Sequence, residues 1–348
     1  MVGPVIFGDQ LILGIETSCD ETSAAVVRGQ RVLSNPIRSQ LDLHEKWGGV
    51  VPEAAARQHI EAILPVVDSA LDEAGLGLND LAGIAVTNRP GLVGALSVGV
   101  TYAKGLAYAL SKPLIGVHHL EGHLVSPFLS RANPAPLPER FLALIVSGGH
   151  TELVAVRGLG NYEILAQTID DAAGEAFDKS ARLLGLGTPG GKAIQELARS
   201  GDPRRYALPR PMLHDPQRLS FSGLKTAVLR TVELEGAGLD RPGLAASLQA
   251  AIVDSLTSKV VGQFEQEEWS DFALVGGVAA NVALRERLQF ECQKRGVRCL
   301  IPEFEFCTDN AAMIALAGAW RLATGQKSDF SLACLPNADL PAHPGLVA

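Results

Sequence analysis

A strand–turn–strand pattern that occurs twice limits the fold of this chain more than any other feature. The apolar run Leu11 to Ile15 leads into the small polar stretch Glu16 to Glu21 (ETSCDE), and Thr22 to Val27 is apolar again. About 130 residues later Phe141 to Val146 runs into Ser147-Gly148-Gly149-His150-Thr151-Glu152, and Leu153 to Val156 follows. Apolar runs of this length bounded by small polar residues read as β-hairpins, so the chain predicts two halves opened by the same device. Between them Pro134, Pro136 and Pro138 alternate through residues 131–139, which favours an extended linker over a helix. Behind each hairpin, strands alternate with helices: Ile84 to Thr87 before a small-residue helix from Gly94 to Leu110, and Phe272 to Val275 before a helix from Asn281 to Arg295. Such alternation predicts an α/β fold with sheets flanked by helices. The expected domains are an N-terminal lobe over 1–130 and a C-terminal lobe over 140–307, followed by a helix near 308–325 that packs back on the first lobe and an irregular tail over 326–348.

Composition narrows the function classes. With 30 Lys+Arg against 38 Asp+Glu the net charge is −8, which argues against indiscriminate binding of nucleic acid by the whole surface and leaves room for a local basic patch. One such patch is the Pro-rich stretch Arg199 to Arg230, where Arg199, Arg204, Arg205, Arg210, Arg218, Lys225 and Arg230 face only Asp202 and Asp215 in sequence. Its plainer reading is a solvated loop. The five cysteines (Cys19, Cys292, Cys299, Cys307, Cys334) form no C-x-x-C pair, as expected in a reducing cytosol. No Lys or Arg precedes Arg28, and Asp9 and Gln10 interrupt the first apolar run, which is not a signal-peptide pattern. The longest apolar stretch, Gly91 to Ala103, is closed by Lys104 and is shorter than the ~20 residues of a membrane helix. A cytoplasmic protein without membrane association is the expectation.

Five segments carry residue types suited to chemistry. In Ser147-Gly148-Gly149-His150, two glycines at a strand end let successive N–H groups converge on an anion, although a type I′ hairpin turn would use them equally well. Asp20 and Glu21 place two carboxylates at one turn tip, suited to a cation, to a nucleophile or simply to solvent. His119 and His123 are four apart, so one helical face can present both to a metal. Glu121 falls on the opposite face, away from the position a zinc-protease base requires. A third ligand must come from elsewhere; Asp309 qualifies, or else serves only as a helix N-cap. Asp171, Glu175 and Asp178 share a face if one helix carries all three, as acceptors for hydroxyl groups or as a surface paired with Lys179 and Arg182. Gly276-Gly277 ends a strand before Asn281, which either bonds a ligand ring lying on the glycines or caps the next helix.

Two such hairpins and a later strand–Gly-Gly–helix unit resemble the plan of the actin-like ATPase and sugar-kinase (ASKHA) superfamily. That plan implies two lobes, each a mixed sheet flanked by helices, with the ligand site in the cleft between them. The resemblance becomes far more specific when the segments are taken in order: GIETSCDETSAAVV (14–27), SQLDLHEKWGGVVPEAAARQH (39–59), HHLEGH (118–123), VSGGHTEL (146–153), DDAAGEAFDK (170–179), FSGLKTA (221–227), GGVAAN (276–281) and CTDNAAMIA (307–315). Together they resemble the TsaD family, the bacterial tRNA N6-adenosine threonylcarbamoyltransferases once described as glycoproteases. The resemblance implies that His119, His123 and Asp309 bind one divalent metal per subunit, Fe2+ ahead of Zn2+. It implies that Ile145, Val146, Ser147, Gly148 and Gly149, with Asp178, Gly191 and Asn281, hold the nucleotide-like substrate, and that Asp20 and Glu21 are the catalytic acids.

The implied reaction takes threonylcarbamoyl-adenylate and modifies the adenosine 3′ of the anticodon in tRNAs that read codons starting with A (t6A formation), releasing AMP. The implied partners are tRNA, a TsaB-like paralogue and a TsaE-like ATPase, the dimer forming through N-terminal helices that include Gly94, Gly99 and Gly105. Two positions depart from the family pattern: Arg89 stands in place of a glycine in Asn88-Arg89-Pro90-Gly91, and Thr188 stands where an aromatic is frequent. The alternatives are a metal-dependent hydrolase or peptidase, and a non-catalytic actin-like scaffold. A scaffold would have little use for the histidines, Asp309 and the SGG turn.

Overall fold

The structure, a computed structural model, describes residues 8–340 apart from 46, 48 and 188; the Thr188 departure lies outside the described residues. The first half forms β1 (Leu11–Glu16), β2 (Glu21–Arg28), β3 (Arg31–Ser34), β4 (Ile37–Ser39), α1 (Leu41–Glu45), α2 (Pro52–Ala74), β5 (Gly83–Arg89), α3 (Val93–Leu110), β6 (Leu114–His118) and α4 (His119–Val125). After an irregular stretch come β7 (Phe141–Val146), β8 (Thr151–Val156), β9 (Tyr162–Thr168), α5 (Ala173–Leu183), α6 (Gly190–Ala198), β10 (Arg218–Leu219) and α7 (Ser222–Glu235). The chain continues through α8 (Arg241–Gln266), β11 (Asp271–Val275), α9 (Val282–Arg295) and β12 (Arg298–Leu300), and ends its regular structure with α10 (Ala311–Ala323). Two compact units result: one holds the chain up to Glu139 and again from Pro302, the other Arg140–Ile301.

The two sheets share a strand order. In the first unit it is β3-β2-β1-β5-β6, with β4 added to β2; in the second it is β9-β8-β7-β11-β12, with β10 added outside β9. In each, the opening hairpin is antiparallel (β1 with β2, β7 with β8) and the two later strands run parallel to the first. Alternation along β1 and β5 decides what each face of the first sheet meets. Leu13, Ile15, Ile84 and Val86 pack on Val66, Val67 and Ala70 of α2 and on Val100 and Ala103 of α3. Gly14 and Ala85 point the other way, against α10. Burying each such aliphatic side chain contributes about 1.5–3 kcal/mol.

Helix ends follow local chemistry. Pro52 opens α2 and Gly75 closes it at φ 66°. The Asn281 and Asn310 side chains cap α9 and α10. Because Asn310 takes the cap of α10, Asp309 does not serve there. After α10 the described chain, which ends at Leu340 so that 341–348 of the expected tail lie outside it, is irregular yet tied down: Ser328 bridges Leu114, Leu335 N–H donates to Asn88 O, Gly91 N–H to Pro336 O, and His118 Nε2–H to Ala338 O.

Among the described residues two helices, Val93–Leu110 and Arg241–Gln266, are long and apolar enough to span a membrane by length and composition, a reach the reading of Gly91 to Ala103 missed. The second is mostly buried inside its unit, as a core helix is. The small residues of α3 serve packing within the unit in part: a Cβ on Gly99 would lie 2.4 Å from Thr17 Oγ1 and one on Gly94 3.2 Å from Ala56, whereas Gly105 borders open space.

Candidate functional site

In the first unit the turn between β1 and β2 is held at nearly every residue. Glu16 Oε1 accepts from Ser18 N–H at 2.5 Å, Thr17 Oγ1 donates to Ala95 O at 2.9 Å, and Ser18 O accepts from Leu92 N–H at 2.8 Å. His59, fully buried on α2, donates from Nε2 to Cys19 O at 3.0 Å and accepts the Thr22 hydroxyl at Nδ1 at 2.8 Å; Asp20 O accepts from Gln40 N–H at 2.9 Å. Burial holds the His59 imidazole below its ordinary value and therefore neutral. Gln40 and His59, near the two ends of the motif from Ser39 to His59, thus clamp the acidic turn. Half-buried Glu21 is pushed up to about 10 by burial and by the carboxylates of Asp20 and Asp309.

Helix α4 begins at His119 and presents His119 and His123 together, their rings 4.8 Å apart and nearly perpendicular. Asp309 Oδ1 lies 3.4 Å from His119 Nε2 and 3.1 Å from His123 Nε2. One donor atom from each of the three residues falls within a 4.8 Å span. On its far side His119 Nδ1 meets Glu16 Oε2 at 3.0 Å. That bond places the proton on Nδ1 and leaves Nε2 for a cation, so two imidazoles and one carboxylate fit a single divalent zinc or iron ion.

Charge inside the site is balanced closely. Burial works against an imidazolium at His119, but Asp309 and Glu16 outweigh it and hold His119 well above its ordinary value. Burial likewise opposes the Asp309 carboxylate, and His119 with His123 pulls it well below the usual range. His123 is lowered, chiefly by burial. Glu121, on the opposite face of α4, is taken by a buried bidentate pair with Arg321 of α10 at 2.6 and 3.0 Å. Buried Arg89 adopts no left-handed angle, and its Nη1 reaches Asn88 Oδ1 at 3.2 Å.

The second unit gathers Ile145, Val146, Ser147, Gly148 and Gly149 at the end of β7. Ser147 N–H donates to His150 O at 2.8 Å and the Ser147 hydroxyl accepts from His150 N–H at 3.0 Å. Neither Gly148 nor Gly149 has a positive φ, so the turn is not type I′. A Cβ on either would meet nothing within 4 Å, and among the described residues neither amide donates to protein. Two other glycines bring backbone against this strand end: a Cβ on Gly174 of α5 would lie 2.5 Å from Ser147 O, and one on Gly276, at φ 91°, 2.5 Å from Val146 O.

Around that strand end one expectation changes and the other residues find their local partners. Helix α5 starts at Ala173, so Asp171 precedes it and does not share a helical face with Glu175 and Asp178; Lys179 bridges Asp171 and Glu175 at 2.9 and 2.7 Å. Asp178 Oδ1 accepts from Gly190 N–H at 2.9 Å, and Gly190 rather than Gly191 is the glycine pressed against α5. Asn281 is engaged at both ends, Oδ1 capping Leu284 N–H at 3.0 Å and Nδ2 donating to Gln249 at 2.9 Å. Sequence reasoning missed Asp170, whose carboxylate accepts from Ser220, Ser222 and the Phe221 and Ser222 amides at 2.5–3.2 Å and so anchors FSGLKT at the start of α7.

Two α/β units with the same strand order, each opened by a hairpin, define a protein of the actin-like ATPase and sugar-kinase fold. Solved structures of that kind align over most of the chain at low identity: T. kodakarensis HypF (15% identity, TM-score 0.61, 92% of this chain and 49% of that one) and component A of the Acidaminococcus fermentans (R)-2-hydroxyglutaryl-CoA dehydratase (17%, 0.52, 90% and 99%). The chain belongs to the TsaD family of tRNA N6-adenosine threonylcarbamoyltransferases, whose model matches residues 31–316, and is a transferase. Among curated relatives, proteins named tRNA N6-adenosine threonylcarbamoyltransferase from Methylibium petroleiphilum and Symbiobacterium thermophilum are 53% and 52% identical, over 91% and 95% of this chain and 92% and 97% of theirs.

Proposed function

We propose that this chain transfers the threonylcarbamoyl group from threonylcarbamoyl-adenylate to the exocyclic amine of the adenosine 3′ of the anticodon in tRNAs reading codons that start with A. The amine nitrogen forms a bond to the carbamoyl carbon, the bond from that carbon to the phosphate oxygen breaks, and AMP leaves with the electron pair. The observation that carries this reading is identity near 50% to relatives of that name over more than 90% of both chains. An aromatic amine is a weak nucleophile, so orientation and charge stabilisation must do most of the work.

In this reading Gly148 and Gly149 turn their unused amides to the phosphate of the adenylate, with Ile145, Val146 and Ser147 forming the rest of that wall. Asp178 and Asn281 act by shape: one holds the start of α6 beside Gly191, the other holds the loop after β11. His119, His123 and Asp309 hold the metal, Fe2+ ahead of Zn2+, which supplies Lewis-acid polarisation of a substrate oxygen. Asp20 accepts the proton of the amine, and Glu21, kept protonated at neutral pH by its raised value, orients the amine, both from a turn that His59 and Gln40 hold still. The partners are tRNA, a TsaB-like paralogue and a TsaE-like ATPase, and the setting is the cytoplasm.

The peptidase reading lacks its base, because Glu121 is committed to Arg321. The test is incubation of the chain with its partner proteins, threonylcarbamoyl-adenylate and unmodified tRNA, followed by mass analysis of the nucleosides. The modified adenosine and AMP are expected in equal amounts; no product with intact partners overturns the proposal.

A further inference from the structure

Glu16 is a fully buried carboxylate at the end of β1. We propose that it is a positioning residue for the metal site, turning His119 so that Nε2 faces Asp309 and tying that ring to the acidic turn. This rests on the reading that His119, His123 and Asp309 hold a metal.

Three donors converge on the Glu16 carboxylate from three parts of the chain. Ser18 N–H reaches Oε1 at 2.5 Å, and the Thr87 hydroxyl and His119 Nδ1–H reach Oε2 at 2.6 and 3.0 Å. The Ser18 hydroxyl lies 3.3 Å from the same His119 nitrogen. A carboxylate accepts from all three; an amide of the same shape turns its own N–H2 toward at least one donor. The His119 ring therefore has its tautomer and its rotation set by Glu16, as carboxylates behind metal-bound histidines do. Through Ser18 the same carboxylate fixes the backbone two residues before Asp20, so one side chain sets the position of both a metal ligand and the proposed catalytic turn. A purely structural Glu16 would serve only to fill its pocket and satisfy its donors.

The experiment titrates metal-free protein with Zn2+ against a competing chelator. Glu16→Gln is expected to bind 10- to 100-fold more weakly than wild type, whereas Thr87→Val, which removes one bond to Glu16 without touching His119, should stay within about threefold. In 15N spectra of the zinc-loaded protein, the His119 Nδ1–H signal of wild type should shift or broaden in Glu16→Gln and persist in Thr87→Val. Glu16→Asp keeps the buried charge and gives the same readout where the glutamine variant does not fold. Zinc binding that His123→Ala abolishes but Glu16→Gln and Glu16→Asp leave at wild-type strength overturns the role of Glu16. Binding that His123→Ala also leaves intact overturns the triad, and this proposal with it.

Discussion

His119 has a carboxylate on each ring nitrogen, Glu16 on Nδ1 and Asp309 on Nε2, and this sets how the metal-free site responds to pH. Because its folded pKa is raised, the imidazolium stabilises the metal-free fold fully below about 6.5, the unfolded value, and this contribution is lost as pH rises through the raised folded value. Glu16 and Asp309 are held low, so their contribution is present above about 4 and lost as pH falls further. The excess stability of metal-free wild type over His119→Gln should therefore be greatest near pH 5–6 and shrink toward pH 9 in denaturant titrations. A metal must displace the same proton, so zinc affinity should climb about tenfold per pH unit until the raised His119 value is passed. The i, i+4 histidines were legible in sequence because helical spacing alone brings them together. Glu16 was not, since in ETSCDE it reads as one more polar turn residue; its burial is made by Thr87 and His119, from strands and helices far along the chain.

At the scale of elements, the short helix α4 is held by its neighbours more than by its own propensity. Seven residues are too few to be stable alone. Arg321 of α10 grips Glu121 on the face opposite the metal ligands, both side chains being almost fully buried. His118, the N-cap, is tied to Ala338 of the returning tail. Arg321→Met strands the Glu121 carboxylate and should destabilise the protein by about 3–5 kcal/mol, while Arg321→Met with Glu121→Leu should recover most of that loss, as measured by chemical denaturation. A peptidase whose base is Glu121 would instead lose activity in Glu121→Gln with its stability unchanged. The sequence placed Glu121 on the far face of α4 correctly, but its partner 200 residues away had no local signal. The same limit explains Asp309 and Asn310: either can cap a helix, and only the fold shows that Asn310 does so and leaves Asp309 to the histidines.

For the whole molecule, the repeated hairpin was enough to anticipate two sheets of like design, whereas the charge pattern changed on folding. The stretch 199–230 looked strongly basic because its arginines have few acidic neighbours in sequence. In the fold, acids from outside that window pair with it: Glu196 with Arg199 at 2.7 Å, Asp240 with Arg205 at 3.8 Å and Asp254 with Arg210 at 2.7 Å. Asp215, lowered to about 2 by Arg218, neutralises a fourth. Arg204 keeps only a loose contact, 3.7 Å from Asp202 with 92% of its side chain exposed, and Arg205 is over half exposed on the same loop. In a chain of net charge −8, these two, together with Lys225 and Arg230 exposed on α7, are the positive side chains of the stretch most open to a phosphate backbone. Arg204→Glu with Arg205→Glu should weaken tRNA binding, most at low salt, and reduce the slope of log affinity against log salt by about 2, one for each lost phosphate contact. Circular dichroism and zinc affinity should stay at wild-type values, because both residues lie on an exposed loop of the second unit and the metal ligands all belong to the first. A salt slope and an affinity equal to wild type would place the tRNA elsewhere on the surface or on a partner protein.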